Sequence, residues 1–234
     1  MTPVLNRVDL MHRMLKSVDE EVERLLVVDN GMGMIGLHPF VRHPNAEQTR
    51  VWSPPYTGIG YGGAINMMIT QNPDAPWWMW VSNDVEFHPG HLASVVQRME
   101  EANGPRIVTG AFTWGAVNAE LVDRVGLIDD WSFFPIYFDD NDYARRCDLA
   151  GVEWIEDWGK GTTHGDEQHG ASLTIRSDPS SAMANNRSFV LNSRAYLDKW
   201  GGPPGHEVFT SPWDSGMPVW VTRPDIYGRR ARQW

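Results

Sequence analysis

The chain has one cysteine, Cys147, in 234 residues, which excludes a disulfide framework and a cysteine-built metal cage. It has no apolar run approaching the roughly 20 residues that cross a bilayer, and its first residues lack the pattern of a signal peptide. Both absences predict a cytoplasmic protein with no transmembrane segment. Positive charge is also scarce. Twenty Lys and Arg stand against thirty Asp and Glu, a formal net charge of −10. The one basic cluster is Arg229-Arg230-Ala231-Arg232, so no nucleic-acid partner is expected. An acidic protein that handles an anionic nucleotide is expected to use a divalent ion. The remainder, 41% hydrophobic and 21% charged, is the composition of a folded domain long enough to bury a core. No internal repeat is visible. Twelve tryptophans suit either sugar-binding faces or ordinary core.

Three signals meet in Pro76–Pro89, PWWMWVSNDVEFHP. Trp77 to Val81 reads as a buried strand, Ser82-Asn83-Asp84-Val85-Glu86 sets two carboxylates at its end, and Pro89-Gly90 precedes a helical pattern from His91 to Met99. Carboxylates at the carboxyl end of a central strand lie where open α/β sheets bind ligands. Asp84 is the kind of hard oxygen donor that Mg²⁺ or Mn²⁺ takes alongside substrate phosphates; a solvated Asn-Asp turn is the plain alternative. Upstream, Thr2–Leu5, the helical spacing of Val8, Met11, Leu15 and Val18, and Arg24–Val28 read as strand, helix and strand. That order implies a right-handed parallel crossover. Downstream come a strand from Arg106 to Phe112, a helix capped by Asn118, and a carboxylate cluster, Phe138-Asp139-Asp140-Asn141-Asp142-Tyr143, opening another helix. Capping needs one aspartate of the three, which leaves a candidate general base. A last strand, Val152–Ile155, leads into a glycine-rich loop with His164 and His169. Residues 176–188 read as a mobile segment, a helical pattern follows through Phe189, Tyr196 and Leu197, and the tail from Gly205 to Trp234 shows little periodicity.

Of two G-x-G-x-x-G matches, Gly31–Gly36 follows a strand but opens no helix and lacks the downstream acid, and Gly58–Gly63 follows no strand although a helix comes after it, so a nicotinamide-dependent dehydrogenase is rejected. A sugar nucleotidyltransferase needs a basic glycine-rich loop near the start, which Val4–Lys16 does not supply.

In this order the elements of residues 3–172 resemble the inverting family-2 glycosyltransferases of the GT-A fold, in particular the rhamnosyltransferase-like branch, with a looser similarity to Gly202. Val4-Leu5-Asn6-Arg7 is similar to the opening strand and its turn, and Leu26–Gly31 to the second strand. Gly60–Asn66 resembles the glycine-rich lead into a helix, Ser82-Asn83-Asp84 the D-x-D motif, and Phe138–Tyr143 with Arg145-Arg146 the E-D-x-D…R motif. The resemblance implies an α/β fold: a GT-A-type, Rossmann-like, mixed and mostly parallel sheet flanked by helices. Residues 1–175 would form the catalytic domain and 176–234 an irregular C-terminal extension packed on it. It implies nucleotide contacts from Leu5, Asn6, Arg7, Asp29, Asn30, Gly60, Asn66, Asn83 and Asp84, and Mn²⁺ or Mg²⁺ on Asp84 and His164. Asp140 would be the catalytic base beside Asp139, and Asp142, Trp114 and Trp200 would lie near the acceptor. The donor would be a UDP-, GDP- or dTDP-sugar and the acceptor a glycan or protein, with a homo-oligomer possible. Two positions depart from the pattern: Ser82 replaces the first acid of D-x-D, and Met32 the usual serine. Family spacing does not choose between His164 and His169. The rival expectation is a non-catalytic carbohydrate- or nucleotide-binding protein on the same fold, which Ser82 favours and the joint presence of Asp84, Asp140 and His164 opposes.

Overall fold

The computed structural model describes residues 1–31, 42–53, 58–157, 159, 161–165, 172–176 and 178–220. His169, Met32 and the basic cluster at 229–232 lie outside the described residues.

The first half is a parallel crossover, as the hydrophobic spacing predicts. β1 (Thr2–Val4) leads through α1 (Val8–Lys16) to β2 (Val22–Asp29), and β3 (Ala46–Trp52) follows in parallel. After α2 (Gly60–Gln71) come β4 (Trp77–Val81), β5 (Val85–Phe87), α3 (His91–Glu100), β6 (Arg106–Gly110), β7 (Trp114–Asn118) and α4 (Ala119–Val125). α5 (Asp139–Leu149), β8 (Glu153–Glu156), β9 (Thr162–His164), α6 (Leu173–Arg176) and α7 (Pro179–Trp200) complete the order. β4, β7, β6 and β8 form a second ladder in which β7 runs antiparallel to both neighbours and β8 is parallel to β6. The two ladders join at Met1, whose nitrogen donates to the Met79 carbonyl at 2.7 Å and whose carbonyl accepts from Val81 N at 2.9 Å. Bonds that bracket Trp80 in this way are the parallel pattern. The result is one mixed, mostly parallel sheet in the order β3-β2-β1-β4-β7-β6-β8.

β2 shows why the sheet is covered on both sides. Leu26 and Val28 enter one core with α2, α4 and α5, whereas Leu25 and Val27 enter another with α1 and α3. A parallel strand buried on both faces carries such an unbroken apolar run. The carboxyl ends of β1, β2 and β4 therefore share an edge, and the short antiparallel ribbon β5–β9 stands beside it, pairing Val85 with His164.

Three elements differ from the sequence expectation. β7 carries Gly115 and Ala116 beside Trp114, too little β-branched signal to mark a strand. His164 ends a strand rather than lying in a free loop. Residues 179–188, expected to be mobile, are the first half of α7. Their helix start is written in Asp178-Pro179-Ser180-Ser181: Asp178 accepts from Ser180 N and Ser181 N, and Pro179 takes the first turn.

Candidate functional site

A cavity of about 830 Å³ opens on the shared strand edge. Leu5 and Asn6 after β1, Asn30 after β2, and Ser82, Asn83 and Asp84 after β4 form its inner wall. The start of α2, the Phe134–Tyr137 loop, Asp139 and Asp140 close the other side, and the first turns of α7 form the outer rim. Among its described wall residues are four carboxylates (Asp84, Asp139, Asp140 and Asp178) and the His164 imidazole, with no lysine or arginine. Strain gathers here too. Ala111, Phe112, Tyr137 and Ser172 all line the cavity with positive φ between 45° and 79°, which costs roughly 1–3 kcal/mol per residue and is held by the surrounding structure.

The ribbon brings two expected partners together. Asp84, buried to 4% exposure, sets Oδ1 3.3 Å from His164 Nε2. Its Oδ2 accepts from Leu173 N at 3.1 Å, and its carbonyl from Gly165 N at 2.9 Å. Two cis donors on an octahedral ion with bonds of 2.0–2.1 Å lie about 3 Å apart, so the Asp84–His164 separation fits a shared divalent cation. Among the described residues no group of three His, Cys, Asp or Glu forms a complete cage; the remaining ligands would come from phosphate oxygens and water, as Mg²⁺ sites on nucleotides use.

Asn30 holds the neighbouring corner. Its side chain accepts from Ile59 N at 2.8 Å and donates to the Gly60 carbonyl at 2.9 Å, tying β2 to the start of α2. Gly60 has φ +75°, and a Cβ there would meet the Pro135 carbonyl at 2.8 Å. Gly62 has no room either, with Ile128 2.8 Å from its would-be Cβ. The glycines of this turn thus let the Ile128–Pro135 loop press against α2. Asn6 donates to the Thr174 carbonyl at 2.9 Å, and Asn83 joins Arg7 O at 3.2 Å to Thr174 Oγ1 at 2.8 Å. Both amides line the cavity while closing α6 onto it.

At the start of α5, Asp139 is 3% exposed and its Oδ2 has no hydrogen-bond partner. Burial, then the negative charge of Asp140, pushes its carboxyl up to about 8. Asp140, more open to the cavity, is also raised by burial, with backbone N–H groups at the helix start pulling the other way. Burial thus favours the protonated form of Asp139 at neutral pH, and Asp140 is the member of the pair that opens to the cavity.

Other expected residues face elsewhere. Arg7 turns back to Asp9, at 2.6 Å. Asp29 is buried at the end of β2, where Oδ1 accepts from Gly31 N at 3.1 Å and Oδ2 from Ser53 Oγ at 3.2 Å; it braces the strand end rather than lining the cavity. Asn66 bonds both ways to the Ile128 backbone, at 2.8 and 2.9 Å, and pins the loop after α4. Trp114 has no exposed surface and packs edge-on against Phe87 and His91 on the far face of the sheet, so it belongs to the core and not to an acceptor groove. Asp142 and Trp200 are buried as well. Asp142 accepts from Arg146 Nε at 2.8 Å and Trp200 Nε1 at 2.9 Å, and Lys199 Nζ lies 2.7 Å from both Asp142 and Asp129. This neutral quartet of two aspartates, an arginine and a lysine fastens α7 to α5. Burial alone would raise the Asp142 carboxyl, but Arg146 and Lys199 beside it hold it below its ordinary value.

The sequence reading missed Tyr61. Its hydroxyl lies 3.0 Å from Ser82 Oγ and donates to the Phe112 carbonyl at 3.0 Å, fixing Ser82 in the wall at the departure from D-x-D. One turn before Ala64 in a glycine-rich lead, it carried no chemical signal of its own.

The chain matches no protein-family model, and no curated protein matches it.

Proposed function

We propose that the protein is a metal-dependent inverting glycosyltransferase of GT-A type, moving a sugar from a nucleotide-diphosphate donor to an acceptor hydroxyl. The observation that carries this reading is the placing of Asp84 with His164 on one side of a single cavity, and of Asp139 with Asp140 on the other. Even with Asp139 neutral, a wall that carries Asp84, Asp140 and Asp178 and no lysine or arginine among its described residues disfavours a bare diphosphate, so the donor needs a cation, and Asp84 with His164 would hold it. Such an ion supplies Lewis-acid stabilisation of the leaving diphosphate.

The protein's own part is positional and acid–base. Asn30, Ser82 and the β1 turn shape the nucleotide end, and Asp140 takes the proton of the acceptor hydroxyl as its oxygen bonds to the anomeric carbon. The bond to the diphosphate breaks with its electron pair on the departing oxygen, and a single displacement inverts the carbon. Asp139, buried against α2 and held neutral there, does not compete for that proton. Asp142 takes no part, being held by Arg146, Lys199 and Trp200.

Calorimetric titration of UDP, GDP and dTDP with Mn²⁺ tests the reading. At least one nucleotide should bind, and binding should weaken about tenfold or more with EDTA or in Asp84→Ala. Affinity unchanged by both treatments would sink the metal assignment. If a donor binds but no sugar is transferred, the pocket belongs to a binding protein.

A further inference from the structure

α7 buries one face only. Ser188, Asn192, Tyr196, Lys199 and Trp200 turn inward. At 3.6 residues per turn the ridge opposite them is Met183, Val190 and Leu197, spaced seven residues apart and exposed to 75%, 51% and 43%. Leu191 lies well off this ridge, and Phe189 packs its ring on Tyr137 and Phe138, at 5.4 and 5.2 Å between centroids, so neither extends it. Scattered exposed apolar residues are ordinary, but three large ones in line along one outer ridge mark an interaction face.

The charges nearest the ridge choose the occupant. Arg187 and Arg194 follow Met183 and Val190 by four residues and so lie on one flank; Asp198 stands farther round. A second copy packed antiparallel through Val190 would set Arg187 of one helix beside Arg194 of the other at both halves of the seam, and like charges there oppose pairing. An anionic lipid surface instead meets both arginines with phosphates. Their long stems let the ridge enter the acyl boundary while the guanidinium groups stay among the headgroups. The net charge of −10 opposes approach by the rest of the surface, so the orientation falls to this helix.

We propose that α7 is a membrane-docking helix that lies in the plane of an anionic lipid surface on Met183, Val190 and Leu197, with Arg187 and Arg194 on lipid phosphates. The first turns of the same helix, at Ser180, Ser181, Ala184 and Asn185, line the cavity, so docking holds the cavity beside the membrane. This goes beyond the transferase reading and does not depend on it.

The whole protein is sedimented with phosphatidylcholine vesicles made with and without phosphatidylglycerol. It should pellet with the anionic vesicles at low salt and be released as salt rises. Met183→Ser, Val190→Ser and Leu197→Ser together should lower partitioning about a hundredfold. Arg187→Gln and Arg194→Gln should lower it about fivefold each and flatten the salt dependence. A protein that stays in the supernatant overturns the proposal, and so does a triple serine variant that still pellets. Sedimentation velocity without lipid covers the other occupant: a dimer that the triple variant abolishes makes the face a homodimer seam instead. Nucleotide titration of the same variants should match the parent, which separates failure here from failure of the transferase reading.

Discussion

Asp139 offers the sharpest test of the site's electrostatics. Its carboxyl is raised from 3.8 to about 8, first by burial and then by Asp140. In the unfolded chain it ionises near pH 4, whereas the folded protein keeps the proton until about pH 8. Between these values the folded state binds more protons, so this group's contribution makes stability fall as pH rises. The penalty is absent below about pH 4 and complete above about pH 8. At 1.36 kcal/mol per unit it amounts to about 4 kcal/mol at pH 7 and nearer 6 above pH 8. Asp139→Asn removes the titration while keeping size. Its amide leaves one polar atom unpartnered where Asp139 Oδ2 is unpartnered already, so that cost largely cancels. Urea unfolding of parent and variant across pH 4 to 8 should give curves that meet near pH 4 and diverge upward for the variant. The difference isolates Asp139 from Asp142, whose depressed carboxyl changes stability only below that window, and from His91, whose imidazole is lowered by burial and titrates alike in both proteins. A difference that stays flat with pH would falsify the claim that Asp139 is neutral in the folded state.

Three other variants probe separate parts of the structure. Asp140→Asn keeps shape and should lower transfer by about 10²–10⁴-fold with nucleotide affinity intact; if Asp139→Asn is the silent-binding, inactive variant instead, the base is one residue earlier. Lys199→Met strands two buried aspartates on one arginine and should cost about 3–5 kcal/mol in urea unfolding, and a loss under about 1 kcal/mol would mean that the quartet contributes little. Gly60→Ala forces a Cβ onto the Pro135 carbonyl at φ +75° and should cost about 1–3 kcal/mol; a melting temperature equal to the parent's would show that the loop yields.

The fold was legible where burial is local. Apolar runs at β1, β2 and β4, helical spacing in α1 and α3, and Asn118 as a cap all stand as the sequence indicates, with Asn118 Oδ1 accepting from Leu121 N at 3.1 Å. Asp84, Asp139 and Asp140 could be singled out because each lies at an element's end, where chain order alone brings it to the sheet edge; His164 reads as one of two loop histidines and stands out only through the resemblance. What could not be read is which polar residues find distant partners. Trp200 is 58 positions from Asp142, and nothing in either neighbourhood says that the two meet. Trp114 is as aromatic as any sugar platform, yet small residues at Gly110 and Gly115 open space for core tryptophans. The start of α7 is a different failure. Its cap and proline were present, but Ser, Asn and Ala in quantity outweighed them.

The three aspartates that open α5 show how one short motif divides its labour. Along a helix start, successive side chains point about 100° apart, so Asp139, Asp140 and Asp142 cannot share one environment. Asp139 falls over α2 against the glycine turn, where no donor reaches its Oδ2 and burial keeps it neutral. Asp140 falls toward the cavity. Asp142 falls inward, where Arg146, Lys199 and Trp200 keep it charged. The buried quartet anchors the helix on which the other two stand, and it anchors α7, whose opening turns complete the cavity rim. Loss of the Lys199 cation should therefore disturb more than stability: the rim and the α5 start are fixed through the same carboxylate. In Lys199→Met protein held below its melting temperature, the nucleotide affinity that the proposed function assigns to Asp84 and Asn30 should persist, while transfer should fall through a raised acceptor KM. If turnover with saturating acceptor matches the parent and KM is unmoved, the quartet holds the fold without positioning the base.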